Sequence, residues 1–337
     1  MKTVISAVGV AAAVLAGANI SAPAAGAADL TSDLGPTVLT LEGGLVGIQH
    51  LLHFTPRQLQ GSLCKAPKTC TPVDYPAWPL GQYFNNLGSD ELISAIDALP
   101  AGTPVTPFGH SQGGQVIYTT IRRWVADPVN APDPSQVTWV SIGNPENAFG
   151  GTKRQDGLPP DTPYKGIEVI KQYDGWADYP TGTMNALAWL NAAAGKNNTH
   201  VWGYFDVNLN DPNNILWVPD KADGTPGNIT YVFVPNDTLP LIQATGLLAP
   251  LLNPILDPIL RPIIESAYDR PIGPVGVSTK PAASVPARVS ATPRPVAART
   301  AVKAAPAAVT VQRALSAAAS RPAAAQRTGR TAARGAR

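Results

Sequence analysis

The residue best placed to do chemistry in this chain is Ser111, in the stretch Pro104–Gly114, PVTPFGHSQGG. This stretch reads as a short strand running into a glycine-flanked serine, then into a helix that begins near Gln112. Gly109-x-Ser111-x-Gly113 is the pattern of a tight strand-to-helix turn that presents a nucleophile. Small side chains two positions either side let the backbone close, and the N–H of Gln112 points to where an oxyanion would form. A serine hydroxyl reacts only when a base takes its proton, and the usual base is an imidazole oriented by a carboxylate. Of the histidines at 50, 53, 110 and 200, only His200 follows Ser111, as the order serine, acid, base requires for such a turn. His50 and His53 read as structural or surface residues. Asp174 and Asp178 both lie on the loop after Gly166–Tyr173, GIEVIKQY, where the acid belongs. Asp178, a few residues beyond the strand, is the favoured acid and Asp174 the alternative; the other is expected to brace the loop through backbone N–H groups.

Strands alternating with helices must hold these residues. Thr37–Leu41 is a β-branched run that reads as a first buried strand, closed by Gly43 and Gly44. Those two glycines suit either a second oxyanion donor or an ordinary turn. Gln58–Gly88 reads as a long loop, and Ser89–Leu99 as a helix capped by Ser89 with Asp90 and Glu91 in its first turn. Pro107 is unusual in a central strand because it has no N–H for the ladder, so a bulge or an unpaired group is expected there. Gln112–Val125 continues as a helix, Val137–Ile142 and Ile229–Val234 as strands, and Asn185–Ala194 as a short helix. Leu239–Ile264 is rich in Leu and Pro; its prolines are expected to break it into short apolar helices, either core packing or a lid and wall for an acyl chain. The alternation implies an α/β fold, a central mostly parallel sheet flanked by helices, with functional loops at the strands' carboxyl ends.

Composition divides the 337 residues into three parts. Residues 1–27 have one lysine, a short apolar run and Ala25-Gly26-Ala27, the pattern of a secretory signal peptide. Residues 28–273 have the size of one α/β domain. Residues 274–337 form an Ala-, Pro- and Arg-rich basic tail without aromatics, the composition of a disordered segment. The tail carries eleven Lys or Arg and no acid, so the overall charge of +2 conceals an acidic middle, with thirteen basic against 23 acidic residues in 28–270. The tail reads as a solvated spacer or as a peripheral contact with anionic envelope polymer or lipid. Nucleic acid is not an expected partner. No segment after the signal offers about twenty uninterrupted apolar residues, so the mature chain is expected to have no transmembrane segment. Cys64 and Cys70 share a Pro-rich loop with no neighbouring histidine, which in an exported chain points to a local disulfide and away from a metal.

Several stretches together, FGHSQGG, SIGNPENAFGG, QYDGWADYP, THVWGYFDV, ITYVFVPNDTLPL and SAYDRP, resemble the PE-PPE domain of mycobacteria and related actinobacteria. That family is one of cutinase-like serine α/β-hydrolases, and the similarity runs from about Thr37 to Pro271. The resemblance implies Ser111 as nucleophile, an acid in the YDGWAD loop and His200 as base, with activity on acyl esters or acyl transfer in building envelope glycolipids. A departure from the family is the plain signal peptide where a PE or PPE module would stand. The expected protein is thus a secreted or envelope-associated serine esterase, with Ser111, Asp178 (or Asp174) and His200 as its triad and Gln112, Gly43 and Gly44 around the oxyanion. It needs no cofactor and no metal. The alternatives are a glycolipid acyltransferase using the same triad, or a non-catalytic envelope protein that binds glycolipid or polymer.

Overall fold

Alternation within single strands organises the core. Leu39, Trp139 and Tyr231 turn to one face of a sheet while their neighbours Val38, Val140 and Val232 turn to the other, as period-2 backbone requires. The sheet appears in a computed structural model that describes residues 29–276 apart from 45–47, 49–50, 80 and 183. The expected signal segment 1–27, His50 and the expected tail from residue 277 onward lie outside the described residues. The elements in chain order are β1 (Thr37–Leu41), β2 (Thr69–Pro72), α1 (Gln82–Asp97), β3 (Val105–His110), α2 (Gln112–Ala126), β4 (Thr138–Ile142) and β5 (Lys165–Lys171). They continue with α3 (Ala186–Gly195), β6 (Ile215–Trp217), β7 (Ile229–Val234), α4 (Pro240–Gln243) and α5 (Ala249–Glu265).

The seven strands run in the order β2-β1-β3-β4-β5-β7-β6, parallel except for the edge strand β6. The expected α/β architecture is therefore present, with β3 near the centre. α1 and α2 pack together on one face through Leu92, Val116, Ile117 and Ile121. The opposite face is covered by turns and loops carrying Leu59, Leu63, Tyr204 and Val207. A third cluster, Tyr173, Ala188, Leu239, Ile242, Ile264 and Tyr268, joins α3, α4 and α5 to the chain just past β5.

The elements depart from expectation in three places, the first being β2, which lies inside the expected Gln58–Gly88 loop. α1 begins at Gln82, seven residues before Ser89, which lies fully buried inside the helix and accepts hydrogen bonds from Thr120 Oγ1 (2.9 Å) and Arg123 Nη1 (3.0 Å). Gly88, read as the end of the long loop, lies inside α1, where a Cβ would stand 2.6 Å from Val116 Cγ2, so it brings α1 close to α2. At Pro107 the strand stays in register with Leu39 of β1, but its pairing with β4 lapses between the bridge at Val105 and the ladder from Phe108. The irregularity expected at Pro107 thus takes the form of an interruption of the ladder.

The third departure is α5, which is continuous over seventeen residues although Pro254, Pro258 and Pro262 lie inside it. Its sequence repeats every four residues: PLLN, PILD, PILR, PIIE. A proline removes the bond to the carbonyl four residues earlier, and at this spacing the freed carbonyls belong to Pro250, Pro254 and Pro258. These residues lie on the exposed face of the helix, so the losses fall where the groups are not buried. The expectation of several short helices holds only for α4 and a turn at Gly246–Leu248.

Candidate active site

β3 delivers Ser111 on a turn that only a strained backbone can make. Ser111 has φ 54° and ψ −112°, outside the ordinary regions for a residue with a side chain. A Cβ on Gly109 would lie 2.4 Å from the carbonyl carbon of Gly113, and one on Gly113 would lie 2.3 Å from the Leu41 carbonyl oxygen. The two motif glycines therefore permit the turn and its seat against β1. α2 starts at Gln112, and the first N–H groups of a helix have no acceptor within it. The Gln112 side chain is held away from the turn, donating to Trp78 O (2.8 Å) and Asn85 Oδ1 (3.2 Å). Gly43 follows β1 directly beside the nucleophile, where an added Cβ would stand 3.3 Å from Ser111 Cβ. Gly44 instead faces Pro79 and the Gln112 side chain.

His200 comes from a single wide helical turn, Asn198–Trp202, that follows α3. Its Nε2 lies 2.8 Å from Ser111 Oγ, 89 residues away in sequence. Its Nδ1 lies 2.9 Å from both Oδ1 and Oδ2 of Asp174. Asp174, which was the second choice for the acid, thus stands on the imidazole, and the favoured Asp178 does not. Asp178 is turned away and grips Arg270 with both oxygens, each 2.8 Å from a guanidinium nitrogen, while Oδ2 also accepts from Tyr173 N (2.7 Å). The physical reason is the backbone at Tyr173, whose φ of 66° reverses the loop so that Asp174 points at His200. Arg270 completes the arrangement by claiming Asp178 and Glu265.

Asp174 is fully buried and fully engaged. Tyr204 OH donates to Oδ2 (2.7 Å), while Trp176 N (2.9 Å) and Ala177 N (3.2 Å) donate to Oδ1. Burial alone would raise its carboxyl, but His200 and these donors outweigh it and hold the group below the ordinary 3.8. His110, next to the nucleophile, donates from Nε2 to the carbonyl oxygen of His200 (3.0 Å). Burial, aided by the neighbouring His200, pushes His110 down to about 3, so it serves as a neutral brace. Gly143, at φ 61° after β4, lies where a Cβ would meet Asp174 Oδ2 at 3.1 Å and His200 Cε1 at 3.3 Å. Tyr204, His110 in this role and Gly143 are contributions the sequence reading missed. The signals were a tyrosine four residues past His200, a polar residue inside a buried strand and a glycine closing β4. Trp78, Trp176 and Trp202 are partly exposed, and the Trp176 ring centre is 6.4 Å from that of His200. Cys64 and Cys70 are bonded to each other, and among the described residues no cluster of His, Cys, Asp or Glu could hold a metal ion.

Comparison with known proteins follows the same lines. Esterase PE16 of Mycobacterium tuberculosis is 32% identical over 240 residues, covering 65% of this chain and 44% of that protein. From the same organism, SL1278 acyltransferase Chp1 is 28% identical over 58% of this chain and 53% of its own length. Diacyltrehalose acyltransferase Chp2 is 29% identical, with 50% and 56% covered. The chain thus spans about half the length of these relatives. Among solved structures, a cutinase-like protein from Cryptococcus sp. overlaps with a TM-score of 0.32 at 16% identity, covering 42% of this chain and 78% of that one. A Xanthomonas campestris serine hydrolase without a lid gives 0.32 at 12%, covering 66% and 83%. The match to the PE-PPE domain runs over residues 62–269, from the disulfide loop through β3, the acid loop and His200 to the end of the α5 region, and by it this chain belongs to the PE-PPE domain family.

Proposed function

We propose that this chain is a serine esterase or acyltransferase that works through an acyl-enzyme on Ser111. The observation that carries the reading is the continuous line Ser111 Oγ, His200 Nε2, His200 Nδ1, Asp174, closed by contacts of 2.8 and 2.9 Å. Asp174 accepts the Nδ1 proton and so fixes the tautomer that leaves Nε2 free to take the serine proton. Ser111 Oγ attacks the ester carbonyl as its proton moves to Nε2. The carbonyl electrons settle on an oxyanion facing the free N–H of Gln112, with the Gly43 backbone as the second donor. Collapse breaks the ester C–O bond, and the leaving alcohol takes the proton from His200. Water or an alcohol then gives its proton to His200 and attacks the acyl-serine, and Ser111 recovers its proton.

The partly exposed Trp176 beside His200 suits an apolar acyl group, and the named activities of the relatives agree with ester chemistry. A sugar hydroxyl as acceptor is supported by the two acyltransferase relatives. Export is supported by the disulfide, which persists in an oxidising compartment, and by the residues 1–27. The test is product analysis with a short-chain and a long-chain acyl ester, with and without trehalose. Free acid or acylated sugar that disappears in Ser111→Ala is the expected outcome. Equal turnover by Ser111→Ala would refute the assignment, and the ratio of the two products divides hydrolysis from transfer.

A further inference from the structure

α5 is apolar outward as well as inward, where Leu252, Leu256, Leu260 and Ile264 pack on the fold. Along its solvent face Leu251, Ile255, Ile259 and Ile263 are 68, 63, 60 and 46% exposed, interleaved with the exposed Pro250, Pro254, Pro258 and Pro262. Its charged residues face the other way: Asp257, Arg261 and Glu265 are only 4, 4 and 6% exposed. They are satisfied inside the fold. Arg261 donates to both oxygens of Asp257 (2.7 and 2.8 Å) and to Tyr173 OH (3.3 Å), and Glu265 binds Arg270 and Gln172. A helix in water buries its apolar stripe and exposes its charges. Here the outer face carries no charge over four turns, and Leu247 and Leu248 extend it. An apolar face of this length calls for an apolar phase.

We propose that the outer face of α5 docks on an anionic lipid surface, lying flat in the headgroup layer. Two observations select lipid. First, the described chain ends at Gly276, which lines a groove of about 720 Å³ together with Pro254, Pro258 and Pro262 of α5. The sequence rooted there, from residue 277, brings eleven Lys or Arg and no acid, the charge that an anionic bilayer attracts. Second, α3, packed against α5, adds the half-exposed Trp189 and Leu190, and tryptophan favours the water–lipid boundary. The prolines set the depth. Gly246–Glu265 is long and apolar enough to cross a membrane by composition, but the carbonyls freed at Pro250, Pro254 and Pro258 would lack partners in hydrocarbon. At headgroup level they stay hydrated.

The docking stands apart from the proposed ester chemistry, so it is tested in the Ser111→Ala chain, which leaves vesicle lipids intact. The full chain is floated with vesicles of phosphatidylcholine alone or mixed equally with phosphatidylglycerol. The expected result is flotation with the mixed vesicles, weakened by salt. The combined change Leu251→Asn, Ile255→Asn and Ile259→Asn should lower partitioning about tenfold or more. Ile255→Gln alone should lower it less, and both variants should melt at the parent's temperature. The proposal is overturned if the parent stays unbound or if the triple variant floats as well as the parent. It is also overturned if light scattering shows a parent dimer that the triple change dissolves, since a second copy would then be the occupant.

Discussion

Asp174 and Asp178 are four residues apart and equally buried, yet their surroundings divide their work. Asp174 meets an imidazole and three donors; Asp178 meets a guanidinium. Burial works against the charge on Arg270, but Asp178 and Glu265 more than offset it and hold Arg270 firmly protonated. Asp174→Asn should therefore lower kcat by about 10³–10⁴ with the fold intact, because the imidazole loses its tautomer control. Asp178→Asn should instead cost about 3 kcal/mol of stability, since it strips a buried cation of one of its two carboxylate partners. Steady-state kinetics and thermal melts on both variants check this; an inactive but stable Asp178→Asn beside an active Asp174→Asn would reverse the assignment. The juxtaposition of Ser111 and His200 was legible in the sequence because local turn chemistry marks the first and chain order singles out the second. The acid was not, because the choice depends on a positive φ at Tyr173 and on Arg270, 92 residues from Asp178. Neither leaves a mark near the loop.

At the scale of elements, the five inner strands were legible from apolar runs and the helices from their periodicity, while the short edge strands β2 and β6, the element ends and the close approaches were not. Ser89 looked like a cap because a serine followed by acids has that pattern, but tertiary packing of α1 on α2 extends the helix past it. The prolines of α5 looked like breaks because proline removes a helix bond, but their spacing puts every loss on one exposed face. The junction after β4 supplies a test of how tightly the elements define the site. Gly143→Ala forces a side chain into the left-handed region, at a cost of about 1–2 kcal/mol. It also presses on Asp174 and His200. We expect a lower melting temperature and a kcat reduced about tenfold or more, with KM for a short ester little changed. Wild-type kcat in this variant would show that β4 does not set the position of the triad.

Across the whole molecule, the neutral His110 brace couples the site to global stability. Its folded value of about 3 lies below the ordinary 6.5, so between these limits the unfolded chain binds the extra proton. The contribution is complete above about 6.5 and is lost progressively as pH falls toward 3. Glu168 acts in the opposite sense: burial raises it to about 8, so its contribution is complete below the ordinary 4.5 and is lost as pH rises through about 8. His110→Gln keeps a donor for the His200 carbonyl and leaves Glu168 in place. Going from pH 7 to pH 5, the melting temperature of His110→Gln should therefore rise relative to the parent's, and an unchanged difference between the two would contradict the neutral brace. The domain limit also belongs to this scale. Just past the expected limit at 273, Val275 is buried, donates to Glu265 Oε2 (3.0 Å) and accepts from Gln172 Nε2 (3.0 Å). Backbone bonds to distant side chains carry no composition signal, whereas the loss of aromatics and acids beyond them does.

The most direct test of the triad is to treat the purified chain with a fluorophosphonate and map the modified peptide by mass spectrometry. The account predicts one adduct, on Ser111, formed rapidly in the parent, far more slowly in His200→Ala and Asp174→Asn, and not at all in Ser111→Ala. An unmodified Ser111, or labelling at the parent's rate without His200, would contradict it.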